Sequence, residues 1–176
     1  MISIPYFKQI AKSNAKFLGV FTLVLCVFLI VMTNVFTPET INGFQSATKG
    51  TAVSHIMEGN GTLIGFMSNS FYALMAIIFP MVYSIMVGNR MIAEKVDKGN
   101  MAGFLSTPTT RLQITVSSAV YFVLSLALMW GISSIVGIIA ANTFQPDALD
   151  IDTFLLLNLG AFLYHLVISS ICFCAS

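Results

Sequence analysis

Four long apolar runs, at 17–36, 66–88, 114–141 and 154–176, alternate with polar connections along the chain, and none contains Asp, Glu, Lys or Arg. A helix needs about 20 apolar residues to cross a hydrocarbon core of roughly 30 Å, and each run is of that order. A soluble bundle built from such runs would have almost no polar face to turn to water. The pattern therefore predicts an all-α, polytopic membrane protein with four transmembrane helices.

The connections differ in character. At 100° per residue, Lys8, Lys12 and Lys16 share one face of a helix over residues 1–16, while Ile2, Tyr6, Ile10 and Phe17 share the other. This predicts an N-terminal interfacial helix resting in the headgroups, or else a plain basic flank that sets topology. Residues 37–65 are rich in Gly, Thr, Ser and Asn and lack strong periodicity, which predicts an irregular connection with a short helix near 52–58. Residues 89–111, NRMIAEKVDKGNMAGFLSTPTTR, are more organised. Glu94 precedes Lys98 by four residues in the order that supports a helix, Gly99 follows as a stop, and Thr107-Pro108 restarts the chain.

Charge orients these elements. The net charge of +1 is uninformative, but seven of the eight basic residues, Lys8, Lys12, Lys16, Arg90, Lys95, Lys98 and Arg111, fall on one side of the predicted spans. That side is expected to be cytoplasmic, leaving Lys49 opposite with Glu39, Glu58, Asp147, Asp150 and Asp152. The run 17–36 is long for a signal peptide and lacks an A-x-A-like cleavage site, so it reads as a retained span. Composition agrees with the lipid assignment: 57% hydrophobic, 9% charged, mean hydropathy +0.89.

Candidate chemistry inside the spans is sparse. Without intramembrane acids or bases, a proton- or ion-driven pump is poorly supported. His165, beside Tyr164, reads as a hydrogen-bonding contact to a neighbouring helix, and Pro80 as a kink that frees a backbone carbonyl. In the third span Ser117, Ser118, Ser125, Gly131, Ser133, Ser134 and Gly137 provide small residues for close packing, within the protein or against a second copy. Cys26, Cys172 and Cys174 lie inside predicted spans and indicate no external disulfide framework. Asp147, Asp150 and Asp152, beside Pro146, read as a solvated turn and helix cap for the fourth span more than as cation ligands. No G-x-x-x-x-G-K-[ST], H-E-x-x-H or G-x-S-x-G pattern occurs, so the sequence offers no ATPase, zinc-hydrolase or serine-hydrolase motif and no cofactor site of its own.

The succession Glu94, Gly99, Phe104-Leu105-Ser106, Pro108 and Arg111, followed by an apolar span, resembles the loop between the second and third spans of ATP-binding-cassette transporter permeases of the type-2 exporter superfamily. The inside-first topology, the N-terminal segment and the long connection after the first span extend the likeness. The resemblance implies that 89–111 carries a cytoplasmic coupling helix docking on a separate ATPase subunit, centred on 98–106. Its docking residues would be Lys98, Gly99, Phe104, Leu105, Ser106 and Pro108, with Glu94 and Arg111 orienting the element. It further implies a second permease copy as partner, ATP used by the ATPase rather than bound here, contact with membrane lipid and no nucleic-acid partner. Such permeases have about six spans, whereas these residues supply four, so the chain is expected to be the N-terminal portion of a longer protein or the product of a truncated reading frame. The alternative is a membrane accessory or assembly subunit that holds a cytoplasmic partner without ATP-driven movement.

Overall fold

The computed structural model describes residues 3–48, 62–91, 111–146 and 148–175, and every regular element among them is helical. In chain order these are α1 (Ile4–Val35), α2 (Pro38–Thr48), α3 (Leu63–Met91), α4 (Arg111–Phe144) and α5 (Ile151–Ala175). Helices α1, α3, α4 and α5 are long and apolar enough to cross a membrane, and each contains most of one apolar run.

Local chemistry sets the ends. Pro5 sits in the first turn of α1, where a missing N–H costs nothing, and the Phe7 N–H donates to Ser3 O at 2.9 Å. The Phe36 N–H closes the other end on Met32 O at 3.1 Å. Thr62 accepts from the Gly65 N–H at 3.2 Å and caps the start of α3.

Two expectations about the connections change. Residues 4–16 do not form a separate interfacial helix, because α1 runs unbroken for 32 residues. Its Tyr6, Ile10 and Asn14 stripe is buried. The Ser3 N–H donates to Ser117 Oγ at 3.0 Å, and the Phe7 ring meets the Tyr121 ring edge-on at 6.1 Å. The face assigned to headgroups is thus covered by the start of α4, while Lys8, Lys12 and Lys16 stay exposed on the opposite side. The connection after α1 is also more regular than its composition implied, since Pro38–Thr48 is helical. The sequence Thr37-Pro38-Glu39-Thr40 is a helix start: the Ile41 N–H donates to Thr37 O at 2.9 Å, Pro38 takes the first helical position and Glu39 faces the helix dipole. Ile41, fully buried, anchors this short helix to the rest of the protein.

Around the bundle the order is α1, α4, α5, α3, with α1 returning to contact α3. Helices α1 and α4 run parallel. They meet at Ser3–Ser117 at one end, and at the other Gln145 Nε2 donates to Thr33 O at 2.7 Å and to Phe36 O at 3.0 Å. These carbonyls belong to the group that a helix C-terminus leaves without intrahelical donors, so a side chain from α4's end completes α1. Helices α3 and α5 run back in the other direction, side by side. Aromatic rings join α1 to α3 along their length: Phe36 with Phe66, Phe28 with Phe79, and Phe21 with Phe79 and Tyr83.

Most of the small residues of α4 turn inward, while Gly131 is exposed and Ser134 half-buried. Ser117, Ser118, Ser125 and Ser133 are buried, and Ser125 and Ser133 return their hydroxyl protons to carbonyls of their own helix. Gly137 receives the Phe154 ring so closely that a Cβ there would lie 2.5 Å from Phe154 Cζ. The spacing of Ser133 and Gly137 is therefore used inside the bundle.

Candidate functional site

Glu94, Lys98, Gly99, Phe104, Leu105, Ser106 and Pro108, the residues singled out for docking, lie outside the described residues, while Arg111 opens α4. What is described are the two helix ends that hold this linker. Arg90 occupies the last turn of α3 with its guanidinium carbon 4.6 Å from the centre of the Phe17 ring. A cation at this position complements the helix dipole and the face of the ring together. The linker joins α3, paired with α5, to α4, which is paired with α1.

The helix leading into the linker is irregular. Ser68–Met75 of α3 is wound as a π-helix, and the N–H of Ala76 donates to Phe71 O, five residues back. Pro80 follows one turn later. Having no N–H, it leaves Ala76 O without its usual donor and crowds the preceding turn. His165 reaches into this turn from α5, fully buried, with Nε2 3.2 Å from Ile77 O and Nδ1 2.6 Å from Ala161 O. Both ring nitrogens thus face backbone carbonyls, and a neutral imidazole, with one N–H, donates to one of them at a time. The Trp130 ring of α4 lies 5.7 Å from the imidazole, and Tyr164 meets it edge-on at 5.3 Å.

Other polar groups lie on either side of this level, Tyr83 toward the linker and Tyr72 away from it. The Tyr83 hydroxyl lies near Ser125 and Tyr121 across the bundle, yet neither tyrosine hydroxyl reaches hydrogen-bond geometry among the described residues. The Tyr72 hydroxyl similarly approaches the Asn158 amide without bonding to it. Unpaired polar groups in an apolar interior each cost about 1–3 kcal/mol, and so mark places where the packing has alternatives. Several hollows flank α5 among the described residues. One, of ≈ 290 Å³, lies between α3 and α5 beside Tyr72, Ile77, Gly160 and His165. Another, of ≈ 240 Å³, lies between α4 and α5 beside Trp130, Gly131 and Asn158. A third, of ≈ 100 Å³, lies between α4 and α5 beside Phe122 and Ser169.

Sequence reasoning singled out His165 and Pro80 but missed Tyr72, Tyr83, Tyr121, Trp130 and Asn158. A signal existed in α5, where Asn158, His165 and Ser169 recur at helical spacing and share the buried face with Phe154. Taken one at a time, these residues read as isolated polar groups; taken as a stripe, they mark the face turned to α3 and α4. The tyrosines gave no such signal, because their partners lie on other helices.

At the other end of α5, the Thr153 hydroxyl donates to Asp150 Oδ2 at 2.5 Å, and the Phe154 N–H donates to Asp150 O at 3.0 Å. The Thr153 hydroxyl, with the backbone N–H groups of Thr153 and Asp152, holds the Asp150 carboxyl below its ordinary range. Asp150 acts as a helix cap; Asp147 lies outside the described residues.

Comparison with protein-family models, with curated proteins and with solved structures gives no match to this chain. Its class is set by the helices themselves: the four long apolar helices are those of a multi-pass membrane protein.

Proposed function

We propose that the chain is a membrane-spanning permease subunit of an ATP-binding-cassette transporter of the type-2 exporter kind, and that residues 89–111 form the element coupling it to a separate ATPase. The observation that carries this reading is the succession Glu94, Gly99, Phe104-Leu105-Ser106, Pro108 and Arg111 in the linker between α3 and α4. The basic residues at 8, 12, 16, 90, 95, 98 and 111 support a cytoplasmic N-terminus and a cytoplasmic linker in the cell membrane. A second permease copy completes the translocation pathway, and ATP is used by the partner.

The arrangement of the helices supports a way for such coupling to work. The ATPase closes on nucleotide and pushes the linker at 98–106. Helix α4 carries α1 with it, because the two are tied at both ends, while α3 keeps its contact with α5. Motion between the pairs is absorbed at the π-wound stretch and Pro80, where the backbone ladder is already interrupted. Binding energy released in the ATPase thereby shifts a two-state membrane equilibrium.

Replacing Phe104 and Leu105 together by Ala tests the docking step. ATPase co-purification is expected to fall while membrane insertion is unchanged. Undiminished co-purification removes the docking claim. Loss of co-purification in a chain whose partner never drives nucleotide-dependent movement would favour the accessory-subunit reading.

A further inference from the structure

The exposed face of α1 changes from basic to apolar along one line. Lys8, Lys12 and Lys16 stand at spacings of four, and the row continues through Val20, Leu23 and Val27, all of them exposed. At 100° per residue, the five positions from Lys12 to Val27 fall within about 80° of one another, on the side opposite the buried Ile10, Asn14 and Leu25. Helix α1 is unbroken across the change, so the basic and apolar parts form one surface. Arg90 of α3 reaches the Phe17 ring, which puts a further cation at the level where the apolar row begins.

Charge and length select what covers this surface. The three lysines have no carboxylate partner among the described residues, and the first acidic residue of the chain is Glu39, beyond the far end of α1. From Lys16 to Val27 the helix rises about 16 Å, which matches one leaflet of a hydrocarbon core of roughly 30 Å. A phospholipid whose chains lie on Val20, Leu23 and Val27 therefore has its phosphate beside Lys16. Lys12 stands one turn, about 6 Å, further out, and its flexible stem brings a second ammonium to the same phosphate. A zwitterionic headgroup carries its own cation into this place and is repelled by the lysines, whereas a headgroup of net negative charge is not. An acidic protein would have to seat on a face whose continuation already belongs to lipid.

We propose that this face of α1 binds an anionic phospholipid, its acyl chains along Val20, Leu23 and Val27 and its phosphate held by Lys12 and Lys16. Lys8, a further turn out, adds to the local positive potential. The site needs the membrane assignment alone and is independent of the linker and of the transport reading.

Val20→Trp sets an indole on this face one turn inside Lys16, and the parent chain, whose single tryptophan is the buried Trp130, supplies the background. The full chain, reconstituted in phosphatidylcholine vesicles, would be titrated with phosphatidylglycerol or phosphatidylcholine brominated on the acyl chains, bromine being the quencher. Half of the added quenching is expected at a mole fraction of phosphatidylglycerol roughly fivefold or more below that of phosphatidylcholine, fivefold being what one lysine near an anionic surface provides. Lys12→Gln with Lys16→Gln should bring the two lipids level, Lys12→Arg with Lys16→Arg should keep the difference, and raised salt should narrow it. Leu163→Trp, on the exposed side of α5, a helix without Lys or Arg, should show no preference. Equal quenching by the two lipids at Val20→Trp, the result expected if the lysines only set topology or serve an acidic protein, overturns the proposal. So does a preference that survives the double glutamine change or that is equally strong at Leu163→Trp.

Discussion

The α1–α4 and α3–α5 interfaces both bury mostly apolar side chains, yet they treat the backbone differently. Helices α1 and α4 are regular throughout, at 32 and 34 residues, or ~48 and ~51 Å long at 1.5 Å per residue, well beyond the roughly 30 Å hydrocarbon core. Hydrogen bonds tie them at both ends. Helix α3 has a π-wound stretch and a proline, and His165 of α5 reaches its backbone in mid-helix. One pair is a strut closed at its ends; the other is joined through its weakest turn. Deformation between them is cheapest where backbone hydrogen bonds are already missing.

The strongest test of this contrast is at the contact between the pairs. Gly137→Leu would drive a side chain into the buried Phe154 ring, and overpacking of this kind costs about 1–3 kcal/mol; the upper end is expected here because the Cβ itself already meets the ring. Thermal unfolding in detergent should show the loss, and adding Phe154→Ala should recover part of it. If Gly137→Leu is neutral, the two pairs do not meet as closely as described.

Gln145→Leu should cost about 2 kcal/mol, since the carbonyls of Thr33 and Phe36 lose their shared donor in a buried place. Amide exchange should quicken in the last turn of α1 and remain slow in α3. His165→Leu should cost about 1 kcal/mol, with exchange quickening near Ile77 and leaving α1 untouched. If the two substitutions loosen the same helix, the division into pairs fails.

The smallest effect is at the start of α5. The carboxyl of Asp150 is held below its ordinary value, so its stabilising contribution is present above the unfolded carboxylate pKa of about 3.9 and is lost as pH falls through the lower folded value. Exchange at residues 151–154 should rise in acid below about pH 4. Asp150→Asn should flatten that dependence while retaining much of the cap.

Apolar run length made the four long helices legible, because a stretch without charge has few other stable fates. Their extension was less legible. Residues 1–16 read equally as an interfacial helix or a basic flank, since an amphipathic stripe of Tyr6 and Ile10 fits a lipid surface as well as it fits another helix. The Thr37-Pro38-Glu39-Thr40 helix start lies among Gly, Ser and Asn residues whose composition reads as an irregular connection. His165 and Pro80 stood out individually, whereas nothing local indicated that one would meet the turn preceding the other.

The order of apolar runs, the partition of basic residues and the cap at Asp150 follow from sequence, because length, charge and capping act within a few residues of where they are written. The partners of Gln145, the seat of Phe154 on Gly137, and the hollow that faces Trp130 and Asn158 were decided by the fold. Each requires side chains from helices distant in the chain to meet at one depth, and helix packing alone sets that register.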